Sequence, residues 1–296
     1  MITRAAWARP ALVGTSVGRI SRLPRIEIEG GIYHVVARGN ERRAIFGDAA
    51  DRERFLEILA QVARRYRVAV LAYCLLDNHY HLLLQTQNAN LARAMRQLNG
   101  VYAQWFNRRH NRVGHLFQGR YGARLVQADE HLLAAVRYVV RNPLRAGMCR
   151  RLEDWHWSSH LQTLGERPPG LLALDRLLSF FAEGRAEART RYLTLVASED
   201  DPDLFAHPLA EGDDGFLATQ LSLVRPDPEY PRRALRGPRP PLVELVRDAS
   251  EASAIAHAYL EHGYSMRAIA THLGCGVATV HRRVRSVEAR GETRKT

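Results

Sequence analysis

The sequence predicts an α+β fold, with helices packed over a small antiparallel sheet and a separate small all-α unit near the C-terminal end. Three observations carry this expectation. Through the first half, short β-rich runs alternate with amphipathic segments in the order strand, helix, hairpin, helix, strand, helix. A Pro/Arg-rich stretch, RPDPEYPRRALRGPRPP, has the composition of a linker. Beyond it, from Leu242 to about Val287, a compact helical pattern returns.

Residues 1–24 read as a basic arm with little periodicity. Ile32–Arg38 (IYHVVAR) is a β-rich run preceded and followed by glycine, which predicts a strand. Between Asp51 and Tyr66, apolar residues fall at Phe55, Ile58, Leu59, Val62 and Tyr66, the spacing of one helix face. Two apolar runs, Val68–Leu76 and His79–Gln85, flank Asp77-Asn78 and predict a tight hairpin. A second helix is expected over Leu91–Arg109, capped by Asn88 or Asn90, and a further strand at the end of Arg112–Gln127. A third helix should start at Asp129 and run through Arg141, with Pro143 ending it. From about residue 160 the texture changes to short helical patches and acidic loops. The expected divisions are 1–24 (arm), 25–160 (α+β domain), 161–242 (variable region and linker) and 243–290 (helical domain).

The chain has 296 residues, 46% of them hydrophobic, enough for one good core and a second small one. Its formal net charge of +12 points to a polyanionic partner, nucleic acid first. Lys295 is the only lysine, so arginine, suited to bidentate phosphate contact, carries the charge. Cys74, Cys149 and Cys275 form no C-x-x-C pair and suggest neither a disulfide framework nor a cysteine zinc site. No apolar run approaches the ~18 residues of a membrane span. The expected setting is cytoplasmic, associated with the nucleoid, with no membrane partner.

The stretch DNHYHLLL (77–84) sets two histidines one residue apart at the head of a strand. Alternate strand residues share a face, so His79 and His81 project together while Tyr80 points away. Two converging imidazoles are natural metal ligands; the competing reading is a pair of ordinary hydrogen-bonded histidines. The third helix carries RYVVRNP, with Tyr138 and Asn142 at i and i+4 on one face. The Asn142 amide supplies a hard oxygen suited to Mg²⁺ or Mn²⁺. Tyr138 lies one turn away, and on its own reads equally as a core tyrosine.

With these stretches assembled, residues 31–160 resemble the HUH single-strand transposases, in particular the REP-associated tyrosine transposases. The resemblance rests on YHVVARGN (33–40), LLDNHYHLLL (75–84), GHLFQGRYGARLV (114–126), RYVVRNPLRAG (137–147) and DWHWSSH (154–160), in that order. It implies a ferredoxin-like catalytic fold of the HUH nuclease type, a divalent metal (Mg²⁺ or Mn²⁺) and single-stranded, hairpin-forming DNA as substrate. Carried over, it makes Tyr138 the nucleophile, His79 and His81 metal ligands, and Asn142 the amide completing the metal site. The implied chemistry is transesterification through a 5′-phosphotyrosine link. One departure is the middle residue of the His pair, usually aliphatic and here Tyr80.

Candidate DNA contacts around the site are His115, Gln118, Arg120, Arg124, Arg137 and Arg141. The segment YSMRAIATHLGCGVATVHRRVRSVE (264–288) has the layout of a helix-turn-helix. It offers Thr279, His281, Arg282 and Arg283 to duplex DNA, and Arg285 to a phosphate; a helical hairpin used for dimerisation competes. Monomer and homodimer are both compatible with the sequence. Two other functions are weighed: a domesticated DNA-binding protein of repeat elements that does not cut, and an amidohydrolase. The latter needs eight βα units and further ligands that the sequence does not supply.

Overall fold

The computed structural model describes residues 25–128, 130–198, 209–223, 240–248, 250–260, 262, 264 and 266–290. The basic arm, Asp129 and most of the Pro/Arg-rich stretch lie outside them. Strand β1 (Ile32–Arg38), helix α1 (Ala49–Tyr66), strands β2 (Val68–Leu76) and β3 (His79–Thr86), helix α2 (Leu91–Arg109) and strand β4 (Gly122–Val126) follow in the order βαββαβ. The strands lie side by side as β2-β3-β1-β4, each pair antiparallel, which is the ferredoxin-like arrangement. The bounds of β1, β2 and α2 are those the sequence predicts.

Helix α1 begins where the Asp48 carboxylate accepts the Asp51 amide (3.0 Å) and buries Phe55, Ile58, Leu59 and Val62. Each such side chain contributes about 1.5–3 kcal/mol by leaving water. Helices α1 and α2 cover one face of the sheet. Tyr80 points into that layer, its ring 4.8 Å from Phe55 and its hydroxyl donating to Asn99 Oδ1 at 2.6 Å. The opposite face, to which His79 and His81 point, is covered by α3 (Glu130–Arg145).

The β2–β3 hairpin closes over Asp77-Asn78, but neither residue adopts positive φ. Two-residue turns without positive φ splay their strands, so this one is held from outside. The Asp77 carbonyl accepts the Ile45 and Phe46 amides, the Asn78 carbonyl accepts the Gly39 amide (2.8 Å), and Arg52 pairs with the Asp77 carboxylate. Gly39 is required there: a Cβ would stand 2.0 Å from the Arg43 carbonyl oxygen.

Two expectations are corrected. Pro143 does not end the third helix; α3 continues to Arg145 with the proline inside its last turn. So near the end, the missing N–H costs one helical bond. The chain then closes through Ala146, Gly147 and Met148 amides bonded to Asn142, Leu144 and Pro143 carbonyls, with Gly147 at φ +66. Nor does the core of the first domain stop near residue 160. Short helices α4 (His160–Leu164) and α5 (Leu174–Leu178) and the longer α6 (Arg185–Ala197) bury Leu174, Leu177, Leu178, Ala188, Tyr192 and Val196 in the same core as the sheet. A two-residue strand β5 (Ala210–Glu211) pairs in parallel with Leu125 and Val126 of β4, followed by α7 (Asp214–Ser222). The acidic, loop-like composition of this region hid its periodic apolar positions.

The C-terminal residues form their own core. Helices α8 (Leu242–Leu245), α9 (Ala252–Leu260), α10 (Met266–His272) and α11 (Val277–Arg290) bury Val246, Ile255, Ala258, Ile269, Ala270, Val280 and Val284 together. The turn between α10 and α11 places Gly274 at φ +61, a conformation favouring glycine. No helix among the described residues is long and apolar enough to cross a membrane.

If residues beyond 160 belong to the main core, Leu177→Ala should destabilise the sheet domain by about 2–5 kcal/mol. Denaturant melts followed by tryptophan emission would show it. An unchanged midpoint would return this segment to the status of an appendage.

Candidate active site

The site forms on the α3-covered face, where strand register decides which side chains meet. Val36 lies opposite His81 and Arg38 opposite His79 on the β1–β3 ladder, while His34 lies opposite Arg124 on the β1–β4 ladder. Cross-strand partners share a face, so His34, Arg38, His79, His81 and Arg124 all belong to one surface. Helix α3 brings Tyr138 onto it. The Tyr138 ring meets His34 edge-on at 5.5 Å and His81 at 5.6 Å between centroids. The guanidinium of Arg145 lies 4.8 Å over the same ring.

Of the residues expected at the site, His79, His81 and Tyr138 are thus brought together. Asn142 follows Tyr138 by one helical turn and is buried; its amide nitrogen donates to the Tyr138 carbonyl at 2.7 Å. That bond leaves the carbonyl oxygen as the atom with which Asn142 could ligate. Arg124 is half-buried on the site face. His115, Gln118 and Arg120 are exposed in the loop before β4, which docks on β1 through the Gln118 amide and the Arg38 carbonyl.

Arg137 is corrected: it is only 5% exposed, on a side of α3 turned into the protein, and is not a surface phosphate contact. Arg141 donates to the Val196 carbonyl at 2.6 Å, so it ties α3 to α6. On α11, Val280, Val284 and Val287 are buried at helical spacing, leaving His281, Arg282, Arg283 and Arg285 exposed and Thr279 half-buried. Two residues at the site escaped the sequence reading, His34 and Arg38. The alternation of IYHVVAR carries their signal, since His34, Val36 and Arg38 must share a face.

Burial sets the charge state of the histidines. His34 is pushed down to about 3 by desolvation and then by Arg124, and His79 to about 4 by desolvation and then by Arg38. His81 is held well below the ordinary imidazole range by burial, with His34, His79 and the two arginines adding to it. All three are therefore neutral near pH 7, the state in which imidazole binds a metal.

The donor set fits a hard divalent cation only if an amide joins it. Among the described residues, no group of three or more His, Cys, Asp or Glu is arranged to hold a metal. The His79 Nδ1 lies 2.6 Å from Asn78 Oδ1, and the Asn78 amide nitrogen donates to the Arg42 carbonyl. His79 Nδ1–H is then the donor, which leaves Nε2 with its lone pair. His81 Nε2 is buried with no hydrogen-bond partner among the described residues, an orphan that a cation would satisfy. The residues that would hold a cation are His79, His81 and Asn142.

Residues 28–142 match the family model described as IS200-like transposase. A Haemophilus influenzae protein named as a REP-associated tyrosine transposase is 26% identical over 116 residues, which cover 36% of this chain and 66% of the relative. The structure of a REP-associated tyrosine transposase bound to a REP hairpin aligns with TM-score 0.43 and 18% identity, over 52% of this chain and 90% of that one. A Deinococcus radiodurans crystal structure, described as that of a transposase, aligns at TM-score 0.30 and 17% identity, over 46% of this chain and 98% of that one.

The buried histidines predict a pH dependence of stability. Their folded values lie below the unfolded value of about 6.5, so below that pH the unfolded chain binds protons that the folded chain refuses. Stability should be level above about pH 6.5 and fall steadily toward the folded value near 4 of His79. Thermal melts of metal-free protein across that window would check it. The fall should be shallower in His79→Gln.

Proposed function

We propose, from the match of residues 28–142 to the IS200-like transposase family model, that this chain nicks and rejoins single-stranded DNA with Tyr138 as nucleophile. The observation that carries the proposal is the packing of the Tyr138 ring against His81, which unites the helix and strand motifs in one place. Tyr138 Oη would attack a backbone phosphorus in line with the 3′ oxygen. The new bond is P–Oη and the broken bond is P–O3′. The tyrosine proton passes to a base, the departing oxygen takes up a proton as a free 3′-OH, and the 5′ side stays attached to Tyr138. Because the link is itself a phosphodiester, rejoining needs no ATP. A cation held by His79, His81 and Asn142 would polarise the scissile phosphate. Arg38 and Arg124 lie on the same face and would add charge toward that phosphate without sequence preference.

The substrate proposed is a single strand carrying a palindromic hairpin, supported by the net charge of +12 and by the family. The helical pair α10–α11 is proposed to bind duplex DNA. Its exposed His281, Arg282 and Arg283, with Thr279, would line the groove-facing side of α11. A domesticated protein that grips hairpins without cutting them remains the alternative to test.

Tyr138→Phe removes one oxygen and should leave folding and DNA binding intact while abolishing the covalent adduct on denaturing gels of end-labelled single strands. Asn142→Ala should keep a weak adduct that recovers in part at high Mn²⁺, since the nucleophile remains. An adduct persisting in Tyr138→Phe, or one on the 3′ fragment, would sink the assignment. Full retention of hairpin binding with no cleavage by the wild type would favour the gripping protein.

The C-terminal proposal is separable. Arg282→Ala with Arg283→Ala should weaken duplex binding in gel shifts and lower its salt slope by about 1 per lost phosphate contact. Cleavage of a short single strand should not change. Loss of both would mean that α11 serves the catalytic core.

A further inference from the structure

His34 and His81 are joined in an unusual way. Their ring nitrogens, His34 Nε2 and His81 Nδ1, are 2.9 Å apart, the ring planes differ by 4°, and the centroids are 5.1 Å apart. That centroid distance is the nitrogen–nitrogen distance plus two ring radii. The imidazoles therefore lie edge to edge in one plane, along the lone-pair direction of a hydrogen bond, and not face to face. Register explains it: His34 is two residues from Val36, the partner of His81, so the two histidines are diagonal neighbours on one face.

A hydrogen bond between two ring nitrogens holds one proton, which either imidazole can own. If His34 donates, the His81 ring proton sits on Nε2, and if His81 donates, the His34 ring proton sits on Nδ1; both atoms are buried, so burial alone does not choose between the two. If His81 donates, Nε2 keeps its lone pair on the face shared with His79, whose own Nε2 is left unprotonated by Asn78. Only the second arrangement gives two lone pairs on one surface. We infer that His34 is a positioning residue: as hydrogen-bond acceptor it holds His81 in the Nδ1–H form, so that His79 and His81 both present Nε2 to a divalent cation. This rests on the metal reading given above, but the proton's location is a property of the metal-free protein. The part played by His34 is that of the partner behind a metal-binding histidine, with a neutral imidazole where a carboxylate or carbonyl is commoner.

The test uses the full chain with ¹⁵N-labelled histidine. In the metal-free wild type, long-range ¹H–¹⁵N spectra should show His81 with a protonated Nδ1 and an unprotonated Nε2. His34→Leu fills the buried site but accepts nothing, so the His81 proton should move to Nε2. Mn²⁺ affinity, measured by calorimetry, should then fall by about 10–100-fold. His34→Gln, whose amide oxygen reaches the same position, should restore both the spectrum and most of the affinity; a merely space-filling role would not distinguish the two variants. A wild-type His81 protonated at Nε2 would overturn the inference, as would a His34→Leu protein with unchanged spectrum and affinity. If the wild type shows the expected spectrum yet binds no Mn²⁺ at His79 and His81, the metal reading fails while the assignment of His34 stands.

Discussion

The site depends on one pairing, the antiparallel ladder between β1 and β3 at the centre of the sheet. Val36 opposite His81 and Arg38 opposite His79 fix which side chains face α3. Side-chain direction alternates with a period of two, so a slip of one residue would turn both histidines of β3 into the α1–α2 layer. It would also turn Tyr80 out of the cluster it forms with Phe55 and Asn99. The apolar packing of one face thus enforces the polar geometry of the other. Tyr80, the one departure in the histidine motif, suits this: its ring is fully buried and its hydroxyl has a partner.

The same economy governs the end of the hairpin. Asp77 and Asn78 do not form a self-sufficient turn; the segment from Gly39 to Phe46 and the buried side chain of Arg52 hold it. Asn78 in turn fixes the ring of His79. The first ligand candidate is therefore oriented by residues of β1's exit and of α1, elements that also build the core. A site on strands with its supporting bonds anchored in core elements is preorganised.

How far this was legible depends on the range of the interactions. The strand of IYHVVAR, the helix spacing from Phe55 to Val62 and the hairpin at Asp77-Asn78 are local patterns, and the structure keeps them. Tyr138 was assigned by family resemblance, and its neighbour His81 follows once the sheet order is known. His34 was missed although its place in the alternation was visible, because its importance arises only when β1 lies beside β3, a long-range fact. Arg137 misled for the converse reason: an arginine beside Tyr138 looks like a phosphate contact in the sequence, and only the folded chain shows it buried. Pro143 obeyed its local chemistry, but in a last turn that chemistry has little left to break.

The borders of the sheet have a further consequence. Along β2, the Leu75 amide is bonded to Trp157, the Tyr73 carbonyl to Ser159 and the Val70 carbonyl to Ala173, so a returning loop and α4–α5 occupy that flank. On the other side the sheet finishes in β5, two residues long. Among the described residues the β2 flank is thus covered, and β5 covers the end of β4 at Leu125 and Val126. A foreign strand added at the β2 flank would have to displace these contacts first. The strand ladder that carries the two histidines is shielded at the β2 border by the chain's own later residues.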